Sequence, residues 1–401
     1  MPYHQLPQIE YNIRTSNINL QIKEKESKKN FSNPSLRYYL THIKGLIDEN
    51  IDDWDTNKKY TNPYEFIHTN IPNFKTSISK IKPISRAFFK LIEIYNDHNI
   101  FVSDAPIKSF HLAEGPGGFI EATTYIRNNP QDTYYGMTLI DPNNNNIPGW
   151  KKAEYLMKKY PNINIEYGAD KQGNLYNHNN LEYCKNLYRN SMDVITADGG
   201  LDFSMDFNNQ EEIAFKLIFS QVMYALTMQK YNGHFILKMF DTFDSASIDI
   251  IYMLSCFYEN VYINKPHTSR YANSEKYIVC KKFKYSNTVE LTDKFISILK
   301  QLNTIDFNRH YISKIINIPI QNYYYSQIQE INAILGQQQI DTILSTIKLI
   351  TYHDRKQDKI QYLKTNNAQK CVNWCIKNNI PYNIINQSVN IFLGERINKK
   401  V

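Results

Sequence analysis

Between about Ile107 and Lys284 short apolar runs alternate with longer amphipathic ones. Six runs read as strands, SFHLAE, TYYGMTLID, INIEYGAD, DVITADGG, GHFILKMF and KYIVCKKF. Helical stretches separate most of them: GGFIEATTYIRN, WKKAEYLMKKY, EEIAFKLIFSQVMYALTMQKY and SIDIIYMLSCFYE. The alternation predicts an α/β fold with a doubly wound, mostly parallel sheet. From Leu36 to about Ile100 apolar residues fall at helical spacing, as in Ala87, Phe88, Leu91, Ile92 and Ile94. After about Ser286 no strand is expected; Ile340, Ile343, Leu344 and Ile347 instead follow the i, i+3, i+4, i+7 rule of an amphipathic helix. Residues 1 to about 35 are polar, with the run Lys23-Glu24-Lys25-Glu26-Ser27-Lys28-Lys29, and predict a loosely attached arm. The expected division is an N-terminal arm and helical extension over 1–80, the α/β domain over 81–288 and a helical extension over 289–401.

Charge adds a partner to this picture. The formal net charge is +7, from 46 Lys+Arg and 39 Asp+Glu. Residues 291–401 carry 14 basic and 7 acidic residues, which leaves 32 of each sign in the remaining chain. A basic C-terminal region beside a neutral body points to an anionic partner, nucleic acid first, with a solvated Lys-rich surface as the alternative. No run of about 18 apolar residues occurs, so no membrane span is expected, and the first residues lack the apolar core of a secretory signal. Five cysteines are too few and odd in number for a disulfide scaffold, and they predict a reducing compartment: cytoplasm, nucleus or virus factory. Cys371 and Cys375, four apart with no His partner, read as helix packing, and no metal is expected.

The first predicted strand runs into Glu114-Gly115-Pro116-Gly117-Gly118-Phe119, which opens a helix. Glycine there lets a ligand approach the backbone, and the helix start offers free N–H groups. A dinucleotide fingerprint needs a third glycine where Ile120 stands. Asp141, 24 residues beyond Gly117, ends the second predicted strand and can accept both hydroxyls of a ribose. The combination fits an adenosyl ligand without a pyrophosphate, S-adenosylmethionine, with a purely structural turn as the alternative.

Four further polar residues stand out by context. Lys238 interrupts the apolar strand FILKMF, where a lysine is costly unless paired or functional. Asp198 follows the strand VITA and precedes two glycines, at the strand edge where open α/β sheets bind ligands. Glu275 lies in a polar segment feeding the last strand, and Lys90 in the helix before the first.

In SRAFFKL, AEGPGGF, ITADGG, FILKMF and KPHTSRYANSEKY the sequence resembles the FtsJ-type RNA 2′-O-methyltransferases over about residues 80–285. The family's ordered Lys-Asp-Lys-Glu tetrad matches Lys90, Asp198, Lys238 and Glu275. The last segment and Asp202-Phe203-Ser204 look more like the cap-specific mRNA enzymes than the ribosomal ones. The resemblance implies S-adenosylmethionine held by residues 114–119, Asp141 and Asp198. Where similar cap enzymes place an Asp near the adenine, this chain has Asn174, with Asp170 as the alternative partner. Arg86, Ser269, Arg270, Asn273 and Ser274 are the implied substrate-binding residues.

The implied reaction is methylation of a ribose 2′-hydroxyl at the first transcribed nucleotide of capped mRNA. Lys238 would steer and deprotonate the hydroxyl, Lys90 would tune Lys238 and hold the acceptor, and Asp198 and Glu275 would orient the lysines. The rivals are a ribosomal or transfer RNA substrate and a catalytically inactive RNA-binding scaffold. The C-terminal extension is expected to grip RNA phosphates or a protein partner. Tyr323-Tyr324-Tyr325 could stack a base or simply pack.

Overall fold

Side chains alternate across the central strands and so build a core on each face of one sheet. Ile195 and Leu237 enter one apolar cluster, and their neighbours Val194 and Ile236 enter another. The structure, a computed structural model, describes residues 3–27, 29–72, 74–144, 147–200, 209–352 and 357–383. Its strands are β1 (Tyr3–Gln5), β2 (Ile18–Glu24), β3 (Lys108–Leu112), β4 (Thr133–Met137), β5 (Ile163–Glu166), β6 (Met192–Ala197), β7 (Gln229–Met239), β8 (Tyr258–Asn264), β9 (Lys276–Phe283) and β10 (His310–Ile316). Its helices are α1 (Pro34–Asp48), α2 (Ile51–Thr61), α3 (Ala87–His98), α4 (Gly118–Arg127), α5 (Glu154–Lys159), α6 (His178–Tyr188), α7 (Gln210–Met228), α8 (Ser245–Phe257), α9 (Val289–Thr304), α10 (Asn322–Thr351) and α11 (Gln357–Lys377).

Eight strands form the main sheet in the order β1-β8-β9-β7-β6-β3-β4-β5. From β5 to β7 all pairs are parallel, and β9, β8 and β1 add antiparallel. The sheet is therefore mostly parallel and doubly wound, as the alternation predicts. The connections leaving β3 and β6 run in opposite directions, to β4 and to β7. This opens a crevice at their C-terminal ends, the place where open α/β sheets bind ligands.

Several expectations need correction. The N-terminal segment is not a loose arm: β1 pairs with β8, and β2 pairs with β10. Strands continue past Ser286, because β10 forms that second, two-stranded sheet. The strand before Asp141 stops at Met137, which puts Asp141 in the following loop. Ile340 and Ile343 of α10 are buried against Leu40, Ile43, Trp54 and Phe243, so the predicted amphipathic face docks on α1, α2 and the end of β7. Cys371 and Cys375 are buried in the core shared with α3, as helix packing requires.

Candidate active site

The loop after β3 is shaped by Glu114 and the glycines. Glu114 Oε1 accepts the N–H groups of Phe119 and Ile120, both at 2.8 Å, and so caps α4. Burial pushes the Glu114 carboxyl well above its usual range, and those two N–H bonds oppose the rise. Gly117 sits at φ +117°, where a side chain is strained. A Cβ on Gly115 would meet Thr138 Oγ1 at 2.9 Å and the Gly149 carbonyl at 3.0 Å, and one on Gly118 would collide with Ser85. Pro116 precedes Gly117 in this turn, and the Phe119 ring is buried beside Tyr277.

The other cradle residues line neighbouring loops. Asp141 Oδ1 accepts the Asn143 N–H at 2.9 Å. Asp170 accepts from Gln172 N at 2.8 Å and from Asn177 Nδ2 at 3.1 Å. Asn174 Oδ1 accepts the Tyr176 N–H at 2.9 Å. The 168–174 loop is laid against the end of β4 by a bond from Ile140 N to Gln172 O at 2.8 Å.

Beside this cradle the strand register assembles two ion pairs. Lys238 stands opposite Tyr277 across β7 and β9, so both side chains leave the same face. Lys238 Nζ donates to the Asp198 carbonyl at 2.7 Å and lies 3.3 Å from Asp198 Oδ1. The Tyr277 hydroxyl donates to that same Oδ1 at 2.9 Å. Lys90 Nζ lies 2.7 and 2.8 Å from the two Glu275 oxygens, and Ser269 Oγ donates to Oε1 at 2.7 Å. The four ionic side chains are only 8 to 16 % exposed, so water screens them little.

Burial lowers the Lys90 pKa; Glu275 and Asp198 oppose that, while Arg86 and Lys238 reinforce it. Burial alone would raise Glu275, but the charges of Lys90, Lys238 and Lys265 outweigh it and hold the carboxyl well below its usual range.

The expected substrate residues fall on two sides of Lys90. Arg86 Nη2 donates to Thr268 O at 3.1 Å, and Arg270 Nε donates to Glu65 Oε2 at 2.9 Å. Asn273 accepts from Lys265 through its carbonyl and its side chain, both at 2.7 Å, and Ser274 Oγ donates to Gln210 at 2.9 Å. Asp202-Phe203-Ser204 lies outside the described residues.

Lys90, Asp198, Lys238 and Glu275 all fall within the stretch that one family profile matches. The sequence profile of the FtsJ-like methyltransferases aligns with residues 83–283, just over half of the chain. The chain belongs to the FtsJ-like methyltransferase family. Two curated relatives are cap-specific mRNA (nucleoside-2′-O-)-methyltransferases. Methyltransferase 2 of Drosophila melanogaster is 28 % identical over 256 residues, covering 61 % of this chain and 36 % of that protein. Methyltransferase 1 of Homo sapiens is 29 % identical over 272 residues, covering 65 % and 32 %. This FtsJ-like chain thus spans about a third of the length of those relatives. A Plasmodium falciparum crystal structure described as a ribosomal RNA methyltransferase superposes with TM-score 0.36 at 20 % identity, covering 50 % of this chain and 97 % of that one.

The candidate site also contains residues that pattern reading passes over. Gln221 of α7 accepts the Gly199 N–H at 3.0 Å and fixes the turn after Asp198. Lys265 donates to the Glu275 carbonyl at 2.6 Å, and burial lowers its pKa to about 7. Glu65 and Glu93 carry hydrogen bonds to the same loop. The one available signal is spacing: Glu93 lies one helical turn beyond Lys90.

Proposed function

We propose that this chain transfers a methyl group from S-adenosylmethionine to an RNA ribose 2′-hydroxyl, at the first transcribed nucleotide of capped mRNA. The reading rests on one arrangement: the Lys238–Asp198 and Lys90–Glu275 pairs stand beside the glycine cradle at the C-terminal ends of the parallel strands. The cap assignment draws on the cap-specific activity of the curated relatives and on the segment KPHTSRYANSEKY.

The residues present fit an adenosyl ligand. Glu114 already occupies the Phe119 and Ile120 N–H groups at the α4 start, where a dinucleotide pyrophosphate would need donors. Gly115 is needed for the shape of this turn, because a Cβ there would press on Thr138 and the Gly149 carbonyl. Residues 115–118 would hold the methionine end together with Asp198, Asp141 the ribose, and Asp170 or Asn174 the adenine edge. S-adenosylmethionine supplies an electrophilic sulfonium methyl.

The chain's own residues do the rest. Lys238 Nζ is held by the Asp198 carbonyl and carboxylate, from where it would steer the incoming hydroxyl and take its proton. Tyr277 helps to fix that carboxylate by donating to the same oxygen. Lys90, clamped by Glu275, holds positive charge next to the developing alkoxide without reaching for the proton. Holding hydroxyl and methyl in line contributes on the order of 7–11 kcal/mol at best.

The decisive experiment incubates the protein with labelled S-adenosylmethionine and RNAs bearing a methylated cap, an unmethylated cap or no cap, then maps the labelled ribose. Label on the first transcribed nucleotide of capped RNA is expected. Equal labelling of uncapped RNA, or label at internal positions, would move the assignment to a ribosomal or transfer RNA substrate.

A further inference from the structure

Arg86, Lys90 and Glu93 stand at i, i+4 and i+7 along one face of α3 and its opening turn, and all three reach the segment 265–275. Arg86 meets the Thr268 carbonyl and Lys90 meets Glu275. Glu93 accepts the His267 N–H at 2.7 Å, the Thr268 N–H at 3.1 Å and the Thr268 hydroxyl at 2.9 Å. Its fourth donor comes from far along the chain: Trp374 Nε1 of α11, at 3.1 Å. Glu93 is 1 % and Trp374 4 % exposed, and the indole packs edge-on against Phe89 at 5.9 Å. A carboxylate with no role beyond its own helix would find its donors within α3. Three of the four bonds to Glu93 instead grip the segment that carries Ser269 and Glu275.

We propose that Glu93 is a positioning residue for the acceptor side of the site, and that Trp374 makes α11 part of the same device. The C-terminal helix holds the Glu93 carboxylate, the carboxylate holds residues 267–268, and that attachment sets where Glu275 stands relative to Lys90. The turnover consequence rests on the RNA methylation reading above; the mechanical coupling does not.

The test uses the full chain with Glu93→Gln, Trp374→Phe and the double variant. Trp374→Phe removes one donor and keeps an aromatic ring against Phe89. Amide hydrogen exchange is followed in the peptide covering 265–277, affinity for S-adenosylhomocysteine by calorimetry, and methyl transfer on capped RNA by kcat and KM. Exchange at residues 267 and 268 should rise about tenfold in Glu93→Gln and less in Trp374→Phe, with cofactor-product affinity within about twofold of wild type. On RNA the kcat of Glu93→Gln should fall about tenfold or more, with little change in KM. Adding Trp374→Phe to Glu93→Gln should change neither readout further. Unchanged exchange at 267–268, a uniform rise across β3 to β7, or full additivity would overturn the proposal. If wild-type protein labels no RNA, the functional reading fails while the exchange data still decide the coupling.

Discussion

Lys238 and Asp141 lie on opposite sides of the crevice, and their removal should have opposite signatures. Lys238→Ala should cut methyl transfer by more than tenfold, a loss above ~1.4 kcal/mol, with S-adenosylhomocysteine affinity unchanged by calorimetry. Turnover above about a tenth of wild type would remove Lys238 from the proton-transfer role. Asp141→Ala should instead weaken cofactor binding by about 1.5–3 kcal/mol, the worth of charged hydrogen bonds to a ribose. Unchanged affinity would place the ribose elsewhere. Lys238 and Asp198 are legible in the sequence because each is a charge in an apolar or glycine setting, which is costly without a partner. Tyr277, Lys265 and Glu93 are not. A tyrosine in a strand looks like core, and a lysine or glutamate acquires its meaning only when the fold shows which carbonyls and N–H groups it meets.

Element boundaries fail for a related reason. The strand β8 begins at Tyr258, directly after α8 ends at Phe257, with no glycine or proline between them to mark the change of period. β10 is hidden because its pairing with β2 shifts register twice, which breaks the two-residue alternation. What holds β10 in place is also out of sequence reach. Asp249 of α8, 2 % exposed, accepts the Ile315 N–H at 2.8 Å and the Ile316 N–H at 3.3 Å. Asp249→Ala should therefore lower the unfolding free energy by about 1–3 kcal/mol in urea titrations, the usual cost of a buried donor left unpaired. An unshifted midpoint would show that the β2–β10 ribbon is held by its apolar residues alone.

For the molecule as a whole, the N- and C-terminal regions are built into the same body as the catalytic sheet. Glu65 ties one region to the segment 265–275 through Arg270, and α11 packs against α3. Burial alone would raise the Glu65 pKa, but Arg270 and Arg86 hold it at about 2 against an ordinary value of 4.5. A depressed carboxylate stabilises the fold fully above its unfolded pKa and loses that contribution as pH falls through the folded one. Stability should thus decline between pH 4.5 and about 2, by roughly 3 kcal/mol from this group. Melting curves of Glu65→Gln should lack that part of the slope, and identical slopes would show that the Arg270 pair contributes nothing. The overall plan, a doubly wound sheet with helices around it, is readable from the alternation of runs. The docking of the outer segments is not, because it depends on strand partners almost 300 residues apart.

That distance has a consequence for biosynthesis. β2 spans residues 18–24 and its partner β10 spans 310–316. At roughly 5–20 residues per second, a ribosome needs about 15–60 s after releasing the first strand before the second emerges. Throughout that interval an isolated strand with open hydrogen-bonding edges waits beside a growing chain, and only the emergence of β10 covers it. The order of synthesis therefore lets every strand of the main sheet emerge before this small ribbon can close.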